Sequence, residues 1–537
     1  MERRTLLTAT AALATASAAT GCSGESPGAS GSPGSSGRPA GSAPPAGSPP
    51  PTPRASPGPP RWNALARGLD GSLVQPDDAT YATARQLYNT RFDDLRPAAV
   101  AYVSGEDDIA ECLAFARAHG TPVSIRGGGH AYTGWSSGDG RLVIDISELD
   151  ALDRAASDGT IGAGARLGTV YRTLAEAGRT IPAGSCPTVG ISGLTLGGGH
   201  GVVSRAYGLT CDSLTSATLI TADGSRLTAD AQQNTDLFWA LRGAGNGNFG
   251  VVTELRFRTH PAPETVVAFL SWPWPKAGAL LDAWQKWGPD QPDEIWSALH
   301  LSAGPGGATP TLSLSVLSLG DEADLHNALD RLADGVGPAT SVSLRRRSYG
   351  DAMLVFGGCS DLTEAQCRLP GSTPGRGEQG VLRRETYAAA SDFFDRSIAP
   401  AGLRALVLTA EDFTRIPAPR DGGDGGAGGG SLVLTALGGA VNRVDPLATS
   451  FVHRRSRVLA QYVAAWRPGT SGSAQRAWLR GTHESMRRYA SGAAYQNYAD
   501  PALTDWRTAY YGPAAERLAR LKQRYDPERL FDFPQAL

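Results

Sequence analysis

Two nucleophilic side chains of this chain stand in glycine-rich surroundings. Cys186 lies inside Pro182–Gly201, a stretch holding seven glycines and two prolines. His130 closes Arg126-Gly127-Gly128-Gly129-His130, directly after an apolar strand signal. Glycine at this density exposes backbone N–H groups and lets them approach a ligand closely, as a pyrophosphate requires. An imidazole and a thiolate at the rim of such a cradle are both competent nucleophiles. The pattern predicts a large anionic cofactor with a histidine and a cysteine at its edge. Taken singly, His130 reads as a loop histidine satisfied by backbone and Cys186 as a small buried hydrophobe. Their shared glycine-rich setting is what sets them apart.

The elements around them alternate between short helices and strands. Ser104–His119 carries an acidic first turn, apolar Ile109, Cys112, Leu113 and Ala116 at helical spacing, and Gly120 as a stop. Residues 122–125 and 141–146 read as strands, and Leu167–Ala177 as a helix ended by Gly178. Leu214–Thr221 turns at Asp223-Gly224 into Arg226–Thr228, a hairpin signal. A short helix over 236–241 and a strand over 251–258 complete an α+β pattern, which Pro261 and Pro263 punctuate. Beyond them, Leu312–Leu319 and Leu432–Leu437 predict an antiparallel sheet with covering helices. Asp421–Gly430, nearly all Gly and Asp, reads as a surface loop. An amphipathic helix is predicted over Ala514–Tyr525. Tyr495 and Tyr498 read, on their own, as core aromatics.

A chain of 537 residues exceeds what one hydrophobic core supports, so two domains are expected. A formal net charge of -2 gives no electrostatic footprint for nucleic acid, and the expected partner is a small molecule. Six cysteines in this length do not make a disulfide scaffold. Residues 1–22 read as an export signal: Arg3-Arg4 suggests the Tat route, and the apolar run that follows is too short to span a bilayer. Ala19-Thr20-Gly21-Cys22 is like a bacterial lipobox, which would make Cys22 a lipid anchor at the cell surface, with free secretion as the alternative. Residues 23–61 are a Gly/Ser/Pro/Ala-rich linker, too poor in apolar groups to fold. The expected organisation is a cofactor domain over 62–260, a substrate domain over 261–480, and a C-terminal segment over 481–537 that completes the first.

Three literal motifs fail on context. Gly245–Gly250 spells G-x-G-x-x-G, but it follows a helix and precedes a strand, the reverse of a dinucleotide fingerprint. Gly134–Gly138 spells G-x-S-x-G, yet it leads into a strand where a nucleophile elbow opens a helix. Gly162-Ala163-Gly164 has its next glycine one residue late. No H-E-x-x-H, C-x-x-C or Walker pattern occurs, and no metal site is expected.

As a set, the motifs resemble the berberine-bridge-enzyme-like branch of the vanillyl-alcohol-oxidase flavoproteins, which have a PCMH-type FAD-binding fold. The matching residues are Arg126–His130, Cys186-Pro187-Thr188-Val189-Gly190 with Gly197-Gly198-Gly199, Tyr207-Gly208-Leu209-Thr210, 236–241 with Asn248-Phe249-Gly250-Val251-Val252, and Tyr495-Gln496-Asn497-Tyr498 with Tyr525-Asp526-Pro527. They recur in family order over about 93–533; the middle segment matches only at Gly357-Gly358-Cys359 and Cys367.

The resemblance implies a two-domain α+β fold and FAD bound twice, through His130 to the flavin 8α carbon and through Cys186 to C6. Gly127, Gly128, Gly129, Gly190, Gly197, Gly198, Gly199, Gly250 and Val252 would line the cofactor, with Arg126 as a phosphate counter-charge. Tyr495 would be the general base that takes a hydroxyl proton, assisted by Tyr498 or an arginine, since a phenol near pKa 10 is a poor base at neutral pH. Val189 would gate oxygen beside the flavin. The implied activity is oxidation of an alcohol or carbohydrate with O2 reduced to hydrogen peroxide. A dehydrogenase using another acceptor and a non-catalytic surface lipoprotein are the alternatives. Cys359 and Cys367 are expected to pair, because an exported chain favours a disulfide.

Overall fold

The computed structural model describes residues 60–153, 158–418 and 428–537. The expected export signal and residues 23–59 of the expected linker lie outside the described residues. The first sheet holds β1 (Ser72–Val74), β2 (Ala99–Tyr102), β3 (Val123–Arg126) and β4 (Leu142–Asp145) in the order β1-β2-β4-β3. Its last three strands run parallel, in a register that sets Tyr102, Asp145 and Arg126 side by side at their carboxyl ends. Helix Glu106–His119 makes the crossover between β2 and β3. Three carboxylates in its first turn favour the positive end of the helix dipole, and Gly120, at φ +63°, ends it in the left-handed conformation that glycine adopts freely.

A second, antiparallel sheet orders β5 (Asp158–Gly162), β7 (Leu214–Ile220), β8 (Arg226–Asp230) and β9 (Val251–Arg258) as β5-β9-β7-β8. The short strands β6 (Arg179–Thr180) and β10 (His260–Pro261) pair beside it. One apolar core joins these two sheets, and Ala494, Tyr510, Leu518, Phe531 and Leu537 of the C-terminal segment pack into it. The segment is also pinned by Lys522, whose buried ammonium donates to the carbonyls of Asn248 and Phe531 and to Asp526.

The middle of the chain builds a seven-stranded antiparallel sheet: β11 (Thr265–Trp272), β12 (Ile295–Ala303), β13 (Thr311–Ser318), β14 (Ser341–Arg347), β15 (Tyr387–Phe394), β16 (Gly429–Ala436) and β17 (Val458–Ala465), ordered β14-β11-β13-β12-β16-β17-β15. Strand periodicity divides its residues between two faces. On one face Leu270, Leu314, Leu299, Leu434, Ala460 and Ala390 meet helices Ala277–Trp287, Glu322–Val336, Pro400–Thr414 and Ser473–Arg487 in a second core. The other face is mixed: Val267, Trp296, Ala298 and Leu317 join the first core, and polar side chains lie beside them. Register aligns Ser271, Ser313, His300, Val433, Gln461 and Ser391 in one row across six strands.

Two expectations need correction at their edges. Residue 481, taken as the start of the C-terminal segment, sits inside helix Ser473–Arg487, which packs on β15 and β17. The loop expected over Asp421–Gly430 lies outside the described residues up to 427, but Gly429 and Gly430 already belong to β16. A Cβ on Gly430 would strike the Phe413 ring, so the strand needs a glycine there. The Cys359–Cys367 disulfide is present, and Cys112 is a buried residue of its helix.

Candidate cofactor site

His130 ends the turn that leaves the carboxyl end of β3. Gly128 is backed so closely against the Gly190 backbone that any Cβ at either position would overlap the other loop. That contact brings the two glycine loops together, and their side chains meet at Thr188. The Thr188 hydroxyl lies 2.9 Å from His130 Nε2 and 3.5 Å from Cys186 Sγ. The two expected nucleophiles therefore share one hydroxyl, although 56 positions separate them in the chain. The His130 ring stacks on Tyr88 at a centroid distance of 4.0 Å. Burial, helped by the Arg166 charge, lowers the His130 pKa to about 3, so the imidazole is neutral and nucleophilic near pH 7. Burial raises the Cys186 thiol, while hydrogen bonds from Thr188 and Val189 act in the opposite direction. Val189 is half-buried in the same loop.

Gly197, Gly198 and Gly199 follow helix Ile191–Leu196, the last two at φ +116° and +78°. A Cβ on Gly197 would run into the Asn497 amide. The Gly199 N–H donates to the Tyr495 phenol oxygen at 2.9 Å, and Asn497 Nδ2 donates to the same oxygen at 2.9 Å. Both donors favour a phenolate, but burial outweighs them and leaves the phenol raised. Beside these two donors the Tyr498 ring meets the Tyr495 ring edge-on at 4.9 Å. Tyr498 forms its own pair: its hydroxyl lies 2.7 Å from His200 Nε2. Burial lowers the His200 pKa to about 4, so the ring meets the phenol in its neutral form.

Sequence reasoning left several neighbours without a role. Tyr132 stacks on Tyr498 at 5.2 Å and meets Tyr387 edge-on at the same distance. Its hydroxyl accepts from Gln461 Nε2 at 2.7 Å, which ties the His130 loop to the polar row of the large sheet. Ser391, at the end of that row, accepts the Tyr495 backbone N–H at 3.0 Å. Tyr132 sits two residues from His130 and could have been found from that motif; Tyr88, Gln461 and Ser391 belong to no motif.

Arg126 stands at the end of β3, directly before the first glycine turn. Its Nε is committed to Asp145, which also accepts from the Ser147 N–H, while its Nη1 is buried without a hydrogen-bond partner. A Cβ on Gly250 would press on the Ile220 carbonyl, and Val252 is buried opposite Leu219 where β9 pairs β7. Their places are explained by sheet packing.

FAD fits the gathered residues. Three buried polar atoms beside the cradle have no hydrogen-bond partner: His200 Nδ1, Asn246 Oδ1 and Gln496 Oε1. Orphaned polar atoms of this kind are rare in a folded interior and mark where a polar ligand completes the bonding. Among the described residues there is no group of His, Cys, Asp or Glu able to hold a metal.

Comparison with known proteins agrees with this geometry. The model of an FAD binding domain matches residues 97–230, and that of the berberine and berberine-like family matches 494–537. The chain is 31% identical to an uncharacterized FAD-linked oxidoreductase, YgaK, of Bacillus subtilis strain 168, covering 87% of this chain and 97% of that protein. It is 31% identical to the chitooligosaccharide oxidase of Gibberella zeae, over 87% of this chain and 91% of the other. A solved structure of the xylooligosaccharide oxidase from Myceliophthora thermophila C1 with xylobiose superposes with a TM-score of 0.75 at 26% identity, over 88% of this chain and 98% of the other. The chain belongs to the berberine-bridge-enzyme-like family of FAD-linked oxidoreductases.

Proposed function

We propose that this protein is an exported oxidase that carries FAD on both His130 and Cys186 and oxidises a hydroxyl of a carbohydrate or related alcohol, with O2 as acceptor. The observation that carries the reading is the row Ser271–Ser313–His300–Val433–Gln461–Ser391, polar at every strand but one, which leads across the large sheet to Tyr132 and Tyr495. A half-buried floor of hydroxyls, an amide and a neutral imidazole suits a polyhydroxylated ligand, whose many O–H groups need both donors and acceptors. Burial lowers His300 to about 4, so it meets such a ligand uncharged. The chitooligosaccharide and xylooligosaccharide oxidases among the relatives support the same substrate class.

FAD, when bound, supplies a hydride acceptor and passes the electrons on to oxygen. The protein's own residues do the rest. His130 and Cys186 hold the cofactor in place, their approach set by Thr188. Tyr495 takes the substrate hydroxyl proton, the Gly199 and Asn497 N–H groups favouring its phenolate form against the opposing effect of burial. Tyr498 is held beside it by its hydrogen bond with His200. Val189, half-buried next to Cys186, leaves more room than a leucine would for a molecule the size of dioxygen. Export by the Arg3-Arg4 signal, with a lipid on Cys22, is consistent with the Cys359–Cys367 disulfide, since such bonds persist in oxidising compartments.

The test is anaerobic titration of the purified flavoprotein with a panel of oligosaccharides and simple alcohols, followed by admission of air. Bleaching by an oligosaccharide, then rapid reoxidation with one peroxide per turnover, supports the proposal. Slow reoxidation with fast turnover on a quinone would make the protein a dehydrogenase. No bleaching by any alcohol would leave a non-catalytic flavoprotein.

A further inference from the structure

The residues that lead into β15, at the edge of the large sheet, pair with a segment that precedes the first glycine turn by some forty positions. The Glu385 N–H donates to the Tyr88 carbonyl at 3.3 Å, and the Thr90 N–H donates to the Glu385 carbonyl at 2.8 Å. Buried Asn89 locks the same pairing, its Nδ2 donating to the Tyr387 carbonyl at 2.8 Å. Arg384 adds a bond from its Nε to the Leu87 carbonyl at 2.7 Å and an ion pair with Asp93. Tyr88 is thereby held from the side of the large sheet. From the other side its own N–H donates at 3.0 Å to the carbonyl of Gly129, the residue before His130.

Held in this way, the Tyr88 ring lies on the His130 imidazole, with 4.0 Å between centroids and 19° between planes. The Tyr88 hydroxyl donates to the Glu385 carboxylate, which fastens the far end of the ring as well. The imidazole is therefore constrained twice: Tyr88 sets its plane, and the Thr188 hydroxyl, 2.9 Å from Nε2, sets its rotation within that plane. Attachment of the cofactor asks more of this ring than orientation. With O2 as oxidant, one C–H bond of the cofactor's methyl group and one N–H bond of the imidazole give way to a C–N bond, and the two protons and two electrons leave as hydrogen peroxide. Until its N–H proton departs, the imidazole carries positive charge, which burial and the Arg166 cation both oppose. The face of a phenol ring favours a cation stacked on it.

We propose that Tyr88 and Glu385 are a positioning pair for covalent attachment at His130: the phenol ring holds the imidazole in its bonding orientation and favours the charge that builds on it, and the Glu385 carboxylate holds the phenol. The inference rests on His130 being an attachment point. It concerns only one of the two bonds, because Cys186 takes its hydrogen bonds from Thr188 and Val189 instead. Since Glu385 enters from the edge of the large sheet, bonding at His130 waits until that sheet has docked.

The experiment is cell-free synthesis of the full chain with FAD supplied, followed over time by peptide mass spectrometry that counts flavin on the His130 peptide and on the Cys186 peptide separately. In Tyr88→Leu, filling of His130 should slow by about 10- to 100-fold, the worth of an aromatic stack and a cation–π contact together, while Cys186 fills at the wild-type rate. The absorption spectrum of that protein should match the singly attached flavin of His130→Ala. Tyr88→Phe keeps the stack and loses the bond to Glu385, so His130 should slow by about 3- to 10-fold, the worth of one hydrogen bond. Glu385→Ala should do the same and the double variant no more, whereas Glu385→Gln, which keeps an acceptor, should restore the wild-type rate. These milder variants carry the test if Tyr88→Leu does not fold. Equal slowing at His130 and Cys186 would make the pair merely structural and overturns the proposal. So does a wild-type rate at His130 in Tyr88→Phe or in Glu385→Ala. A wild-type chain without flavin on His130 is a different failure, that of the attachment reading itself, and takes the proposal with it.

Discussion

The glycine loops around Thr188 and the polar row of the seven-stranded sheet meet at the same tyrosines, yet they reach them by opposite means. In the loops, backbone sets the geometry: Gly128 against Gly190 and Gly197 against Asn497 leave no room for any other residue, and each forced contact fixes where the next side chain points. On the sheet, the backbone is a regular ladder and only the side chains at every second position carry meaning. A substitution in the loops therefore moves several groups at once. One on the sheet removes a single contact and leaves the rest standing. Cofactor attachment should accordingly be brittle, and substrate choice adjustable one residue at a time.

The strongest way to break this contrast lies at the loops. If His130 and Cys186 each hold the flavin, acid denaturation of the wild-type protein should leave all FAD on the polypeptide, and peptide mass spectra should show it bridging the two. Each single alanine variant should keep one bond; the double variant should release FAD completely. Next in size is Tyr495→Phe, which removes the phenol and little else. Stopped-flow flavin reduction should slow by about 100- to 10,000-fold, the usual worth of a positioned base, with the cofactor still attached. An unchanged rate would hand the role to Tyr498 and His200.

On the sheet a smaller, cleaner effect is expected. His300→Ala deletes one neutral hydrogen-bonding group from the polar row and should raise KM for an oligosaccharide by about tenfold, leaving kcat within a factor of a few. A large fall in kcat would mean that the row takes part in chemistry. The smallest effect concerns what holds the sheet to the C-terminal segment. His483 lies 3.6 Å from Asp392 of β15 and 3.6 Å from Asp500. Burial lowers its pKa, but bonds to and charges on these two carboxylates outweigh that and raise it to about 9. A raised histidine stabilises fully below its unfolded pKa near 6.5, and that stabilisation is lost as pH rises through 9. Denaturant midpoints should therefore fall between pH 7 and 10, by the equivalent of about 1–3 kcal/mol, and His483→Gln should flatten that slope.

What the sequence disclosed follows the same division. Helix Glu106–His119, strand β9 and the β7–β8 hairpin are local patterns with their own stops, and they lie within a residue or two of where the sequence puts them. The glycine loops were legible because crowded backbone excludes other residue types. The sheet was legible only at β13 and β16, whose leucines alternate. Strand β15, Tyr-Ala-Ala-Ala-Ser-Asp-Phe-Phe, is buried along its whole length and carries no alternation to read. Gln461 and Ser391 acquire meaning only through pairing partners far away in sequence, which no local window contains. The Arg126–Asp145 pair escapes a local window for the same reason, since only the pairing of β3 with β4 brings the two together.

The packing of residues 494–537 into the core built by residues 65–257 has a consequence for biosynthesis. When the second glycine loop leaves the ribosome, the side chains that close over it, Tyr495 and Asn497, are still about three hundred residues from being made. At roughly 5–20 residues per second, the interval is on the order of tens of seconds. During that time the whole large sheet is synthesised while the nascent first domain lacks its final wall. The wall supplied by Tyr495 and Asn497 is thus added only after the rest of the chain has been made. A circular permutant that places 494–537 ahead of Trp62 would remove the wait, and the time course of flavin incorporation during cell-free synthesis would reveal it.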